Sequence, residues 1–301
     1  MARFGSVVTA MVTPFDGEGA LDVDGAVALA RHLVTTGSDG LVLAGTTGEG
    51  PVLSDDEKSD LWRAVSEAVT VPVLAGTGTN DTAHSIGLSR RAADAGVDGL
   101  LVVTPYYSRP SAAGLSAHFR AVAAATTLPV LLYDIPIRSG RRIGTELLVS
   151  LGTEVANIVG VKDATGDVAA AARVVAGTPD AFEVYSGDDS LTLPFLAVGG
   201  VGVVSVASHW AGSLFGRMIA AHGSGDLDAA REANDLLFRS YDFESSDAFP
   251  NPLPAKAACR ALGLPSGQCR LPLGEAPRSL DDDARALIDD LERTDTVHQV
   301  A

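Results

Sequence analysis

Gly37-Ser-Asp-Gly-Leu41 and Gly96-Val-Asp-Gly-Leu100 repeat one pattern at two places in the chain. Each follows an Ala-rich amphipathic stretch and opens an apolar run. The first glycine of each fits the position just past a helix end, where a left-handed backbone is needed. Working outward from these copies, short β-branched runs begin near Val7, Gly40, Val71, Gly99, Pro129, Ile158, Phe182 and Val201. The first intervening helix places Val23, Ala26, Val27, Ala30, Leu33 and Val34 on one face. Ser54 and Glu57 form a capping box that starts the helix after the second strand. Strands of nearly unbroken Val, Leu and Ile are buried on both faces, as in a parallel sheet. Eight β-α units at a spacing of roughly 20–30 residues predict an α/β fold, a (β/α)₈ TIM barrel. A doubly wound open sheet is the alternative, weakened because no GxGxxG opens a first helix. The barrel spans residues 1–224. Residues 225–301 read as a C-terminal helical extension, with helices over Asp226–Tyr241, Leu253–Leu262 and, after a Ser279 N-cap, Leu280–Arg293.

At 301 residues with 46% apolar content, the chain can form one large core. Its net charge of −16 makes nucleic acid and anionic membrane surfaces poor partners. Cys259 and Cys269 form neither a CxxC pair nor a disulfide framework and read as reduced thiols. The histidines, at 32, 84, 118, 209, 222 and 298, include no pair at metal-ligand spacing on one helical turn. Neither a metal nor a cofactor is expected. The N-terminus lacks the long apolar core of a signal peptide, and no apolar run reaches the roughly 20 residues of a membrane span. A soluble cytoplasmic enzyme is expected.

Three lysines are present. Lys58 sits among charges in Ser54-Asp-Asp-Glu-Lys58-Ser-Asp60 and is expected to be solvated. Lys256 falls in the first turns of a late helix. Lys162 ends the apolar run Asn157-Ile-Val-Gly-Val-Lys162-Asp-Ala-Thr-Gly166, and a lysine desolvated at a strand end tends to lose its proton and become a nucleophile for carbonyls. In a barrel, active sites are built at the C-terminal strand ends. There stand Gly45-Thr-Thr-Gly-Glu49, Thr104-Pro-Tyr-Tyr107, Tyr133-Asp-Ile-Pro-Ile-Arg138, Lys162-Asp163, Ser186-Gly-Asp-Asp189 and, in the eighth region, Gly199-Gly-Val-Gly-Val-Val-Ser205. Each has a plainer role open to it. Gly45–Glu49 reads as an ordinary turn, Tyr106, Tyr107 and Tyr133 as packing residues, Arg138 as a surface residue, Lys162 as the partner of Asp163 or another carboxylate, and Asp188-Asp189 as a helix cap. The eighth glycine run could cradle phosphate, though no basic residue accompanies it. Together, Lys162, the hydroxyls of Tyr133 and Thr46, the Thr46-Thr47 amides and Arg138 supply an amine, a proton shuttle and a carboxylate clamp.

These motifs, in this order, resemble the dihydrodipicolinate synthase / N-acetylneuraminate lyase superfamily of pyruvate-dependent class I aldolases. The likeness runs from Thr9-Ala-Met-Val-Thr-Pro-Phe15 to Asn251-Pro-Leu-Pro-Ala-Lys256. The Thr46-Thr47 pair and Arg138 follow the synthase pattern rather than that of the sialic acid lyases. The resemblance implies condensation of pyruvate with L-aspartate 4-semialdehyde to 4-hydroxy-tetrahydrodipicolinate, in lysine/diaminopimelate biosynthesis. Lys162 would form the pyruvate Schiff base. Tyr133, Thr46 and Tyr107 would relay protons, with Tyr107 reaching in from a neighbouring subunit. Thr47 and the Val204 backbone would hold the pyruvate carboxylate. Arg138 and the Gly187 backbone would bind the semialdehyde. Homotetramers, built as dimers of dimers, are typical of the family.

The chain departs from the family in places. The common Tyr-Asn-Val-Pro is here Tyr133-Asp-Ile-Pro136, and the usual Arg-Thr is Arg138-Ser139. Feedback-inhibited members carry a glutamate where this chain has His84, and histidines where it has Asp55 and Lys58; Asn80 and Tyr106 are kept. A buried lysine ammonium would lose its carboxylate partner, so weak or absent inhibition by lysine is expected. Two other readings stay open: another pyruvate aldolase or dehydratase of the superfamily, acting on a sugar acid or hydroxy-oxoglutarate, and a catalytically silent ligand-sensing barrel.

Overall fold

The computed structural model describes residues 2–244 and 246–300, with side chains to Arg293. Eight parallel strands alternate with helices: β1 (Val7–Ala10), α1 (Val23–Thr35), β2 (Gly40–Leu43), α2 (Asp55–Ala68), β3 (Val73–Gly76), α3 (Thr82–Asp94), β4 (Gly99–Val103), α4 (Ala112–Ala124), β5 (Val130–Asp134), α5 (Pro136–Ser139), α6 (Thr145–Glu154), β6 (Ile158–Asp163), α7 (Val168–Gly177), β7 (Glu183–Ser186), α8 (Thr192–Ala197), β8 (Gly202–Ser205) and α9 (Ser208–Ser224). The strands pair in sequence order, and β8 closes on β1 through Val8↔Val204. The expected barrel is therefore present, with β3 starting two residues after Val71. Pro72 has no N–H to donate, and its carbonyl accepts from Leu41 instead. The two repeated glycines carry φ of +110° at Gly37 and +83° at Gly96, as their positions after α1 and α3 require.

Alternation along the strands sorts the core into two layers. Phe4, Val8, Val42, Leu74, Leu101, Leu131, Tyr133, Tyr185 and Val204 fill the barrel interior. Leu41, Leu43, Val73, Leu100, Val102, Leu132 and Val161 face outward against buried helix residues such as Leu29, Leu33, Trp62 and Phe119. Each such side chain contributes about 1.5–3 kcal/mol on burial.

Three further helices follow: α10 (Leu227–Phe243), α11 (Leu253–Ala261) and α12 (Arg278–Val300). Asp226 caps α10 by accepting from the Ala229 N–H at 3.0 Å. The Ser279 cap does not form, because α12 starts at Arg278, where the Pro277 carbonyl accepts from the Leu280 N–H. Trp210 of α9 donates to Ser240 of α10. Residues Leu253–Cys259 of α11 are buried on every side. Among the described residues no helix is long and apolar enough to cross a membrane.

Candidate active site

Strands β5 and β6 set Tyr133 and Lys162 side by side in register. Both face the barrel interior at its C-terminal end. Lys162 is 5% exposed, and its Nζ lies 4.5 Å from the centre of the Tyr133 ring. Among the described residues no carboxylate lies within ion-pair distance of that ammonium. Asp163 points to the opposite face of β6 and accepts from the Thr165 N–H at 2.8 Å, so the Lys162–Asp163 pair does not form. Gly187 crosses the lysine stem. A Cβ there would lie 3.0 Å from Lys162 Cγ and 2.9 Å from the Ala164 Cβ, which leaves room for glycine alone. Val204 of β8 is buried in the same interior cluster as Tyr133.

The loop after β2 faces this pair. Its backbone is left-handed at Ala44 and Glu49, two non-glycine positions that need outside support. The support comes from the C-terminal helices. Glu49 makes an ion pair with Lys256 at 2.6 Å, both side chains being 1% exposed, and accepts from the Arg270 N–H at 2.9 Å. Burial lowers the Lys256 ammonium from its ordinary range, and Glu49 opposes that shift. Asn251 donates its side-chain amide to Thr47 Oγ1 at 2.9 Å, while its carbonyl accepts from Arg138 at 3.3 Å. One residue of the extension thus holds both expected carboxylate binders. Arg138 is exposed, but α5 and this bond aim it at the mouth. Thr46, Tyr107, Tyr133, Arg138 and Asn251 line one cavity of about 440 Å³. Tyr107 stands at its rim, 92% exposed and at φ +71°.

Several expectations are corrected here. Lys58 is not solvated: it is 6% exposed and lines the same cavity. Its helix turns it inward, with Asp55 still within electrostatic reach of its ammonium. Gly199-Gly-Val-Gly precedes β8 and therefore lies at the rim opposite the mouth. A side chain at Gly202 would run into the Ser6 carbonyl of the adjacent chain segment, so glycine there serves close packing and not a phosphate. Asp188 does cap the following turn, accepting from the Ser190 N–H, but Asp189 reaches across to accept from the Val206 and Ala207 N–H groups.

Asn251, the Glu49–Lys256 pair and Glu244 escape a reading of the sequence. Glu244, at the end of α10, lies against Asp189 and within electrostatic reach of Lys162; burial, then the Asp189 charge, pushes its carboxyl well above the usual range. The signal for Asn251 and Lys256 was Asn251-Pro-Leu-Pro-Ala-Lys256, read only as the end of the family likeness. Asp134, where the family has Asn, accepts from the Ile143 N–H at 3.0 Å. Burial, aided by Asp163, pushes its carboxyl up to about 6.

The fold and mouth define a (β/α)₈ barrel of the enzyme type, with a buried amine set against a tyrosine at the C-terminal strand ends. Residues 3–291 match the model of the dihydrodipicolinate synthetase family, and the chain belongs to that family. It is 54% identical over 279 residues to the 4-hydroxy-tetrahydrodipicolinate synthase of Acidothermus cellulolyticus, covering 91% of this chain and 88% of the relative. It is 51% identical over 278 residues to the same-named enzyme of Moorella thermoacetica, covering 92% and 94%. The crystal structure of DHDPS from Cyanidioschyzon merolae with lysine bound superposes with a TM-score of 0.94 at 41% identity, covering 97% and 99%.

Proposed function

We infer that this chain is a carbon–carbon lyase, a 4-hydroxy-tetrahydrodipicolinate synthase that condenses pyruvate with L-aspartate 4-semialdehyde in lysine/diaminopimelate biosynthesis. The observation that carries the mechanism is the Lys162 amine at the barrel mouth, against the Tyr133 ring and, among the described residues, with no carboxylate within ion-pair distance. Lys162 Nζ adds to the pyruvate C2 carbonyl, and loss of water gives a protonated imine. Removal of a C3 proton gives an enamine, whose C3 attacks the aldehyde carbon of the semialdehyde. The substrate's amino group then displaces Lys162 from C2, closing the ring and freeing the enzyme amine. Net, pyruvate and the semialdehyde give the cyclic hydroxy product and one water. Tyr133, Thr46 and Tyr107 hydroxyls carry the protons between these steps. Thr47 and the Val204 backbone hold the pyruvate carboxylate. Arg138 takes the semialdehyde carboxylate as a bidentate clamp, with the Gly187 backbone beside it.

Two further parts of the reading concern setting. A homotetramer built as a dimer of dimers would bring Tyr107 of the partner subunit to the site, which its exposure here supports. A cytoplasmic location follows from the pathway. Incubation with pyruvate, borohydride reduction and peptide mapping test the mechanism, with an adduct expected at Lys162; an unmodified Lys162 refutes it. Turnover of aspartate semialdehyde against sugar acids and hydroxy-oxoglutarates then tests the substrate.

A further inference from the structure

Asp189 and Glu244 bring two carboxyl groups together without a cation between them. Asp189 stands two residues after Gly187, in the turn that follows β7, and is 2% exposed. Its Oδ2 accepts from the Val206 and Ala207 N–H groups, at 2.9 and 2.7 Å, and so clamps the turn after β8. Its Oδ1 is enclosed and, among the described residues, meets no N–H or hydroxyl donor. Glu244 ends α10, which packs on the Asp189–Leu191 turn. The residue is half-buried, yet its Oε2 is shut off from solvent and likewise meets no such donor. The two carboxyls lie within hydrogen-bond reach of each other. Asp188 of the same turn, Lys162 of β6, His209 of α9 and Tyr241 of α10 face the pair. Burial pushes His209 down to about 4, and its Nε2 accepts from the Val12 N–H, so the ring is neutral. Burial, then the Asp189 charge, keeps the Tyr241 phenol protonated, and its O–H donates to Asn234. Of these four groups only Lys162 is cationic, and among the described residues it makes no ion pair with either carboxyl.

Two carboxyls in contact and away from water do not both ionise, so the pair keeps one proton. The two N–H bonds to Asp189 Oδ2 favour its ionised form, which leaves the proton on Glu244. We propose that Glu244 is a positioning residue of the pyruvate pocket: its carboxyl O–H donates to Asp189 Oδ1, and the bonded pair fixes the turns after β7 and β8 against α10. Those turns adjoin two backbones assigned above to the substrates. Gly187 packs on the Lys162 stem, and Val204 precedes the clamped Val206 by two residues. The inference rests on that assignment of the pocket. Glu244 touches no substrate and acts through Asp189. Without its side chain, Asp189 Oδ1 is a buried carboxylate oxygen with no donor, and the cost of leaving it so turns Asp189 away from Val206 and Ala207.

Two measurements on the full chain test this. In the infrared, wild type minus Glu244→Gln at pH 8 should show the C=O stretch of a protonated carboxylic acid. A difference that carries carboxylate bands alone overturns the proposal. Pyruvate affinity is then read from the concentration that half-saturates borohydride trapping on Lys162, which needs no second substrate. Glu244→Ala should raise that concentration about tenfold, with kcat of the condensation changed by less than about threefold. Glu244→Gln, whose amide N–H still donates to Asp189, should stay within about twofold of wild type. If Glu244→Ala fails to fold, Glu244→Leu, which fills more of the same space, takes its place. Equal weakening by the glutamine and the apolar variant overturns the proposal, as does a fall in kcat with pyruvate saturation unchanged. A wild-type chain that forms no adduct sinks the Schiff-base assignment and this role with it. Variants that all trap pyruvate as wild type does sink the positioning role alone.

Discussion

Lys58, Lys162 and Lys256 are 6%, 5% and 1% exposed, and they differ in what meets the ammonium. Lys256 meets Glu49, Lys58 meets a cavity, and Lys162 meets an aromatic face at the mouth. Burial alone therefore does not mark the proposed nucleophile; its place at the end of β6 does. The same scale decides Asp134. Its folded carboxyl holds a proton up to about 6, against an ordinary 3.8. The stability linked to this proton is fully present below the unfolded value and is lost as pH rises through 6, for a total of about 3 kcal/mol. Asp134→Asn keeps an acceptor for the Ile143 N–H and removes the charge. It should stabilise the chain by about 1–3 kcal/mol at pH 8, with the gain shrinking toward pH 5. Urea denaturation at the two pH values measures this, and a gain independent of pH would rule out the assignment. Where feedback-inhibited family members would take up lysine, His84 and Asp55 of this chain satisfy each other, and Lys58 would repel a second ammonium. Initial rates should stay above half of their uninhibited value at sub-millimolar lysine.

At the scale of elements, the loop after β2 is shaped by helices that come two hundred residues later. Breaking the Glu49–Lys256 pair from one side leaves a buried carboxylate without its cation. Lys256→Met should cost about 3–5 kcal/mol, and adding Glu49→Gln should recover part of it. A double-mutant cycle read by denaturant midpoints checks the coupling; additive losses would show that the pair does not act as a unit. Asn251→Ala removes the donor to Thr47 while leaving its own carbonyl for Arg138. It should raise the KM for pyruvate more than that for the semialdehyde, and a uniform fall in kcat would argue against positioning by Thr47.

At the scale of the whole molecule, Tyr107 stands 92% exposed on a left-handed turn, a cost with no return inside one chain. If a neighbouring copy takes it up, two inactive chains can complement each other. Lys162→Ala and Tyr107→Phe variants, each impaired about 10²-fold or more alone, should regain activity when mixed and allowed to exchange subunits. Sedimentation velocity reports the assembly, and a monomer with full activity would exclude the shared site.

What the sequence determined by itself is the part governed by local rules. Unbroken apolar runs bounded by Gly37 and Gly96 specify buried parallel strands, because glycine alone readily takes the left-handed turn and Val, Leu and Ile suit a sheet covered on both faces. The order of motifs around Lys162, Tyr133 and Thr46 carried the family. Other features depended on closure of the barrel and docking of α10 to α12. The polar flanks of Lys58 suggest water, yet the face of α2 that meets the cavity is chosen by packing. Gly199 stands among glycines like those of a mouth loop, yet its run follows a helix and precedes its strand, which places it at the opposite rim. Asn251 joins Thr47 to Arg138 across long stretches of chain. Contacts of that kind exist only after distant elements meet, since no periodicity or spacing records which side chain will stand opposite.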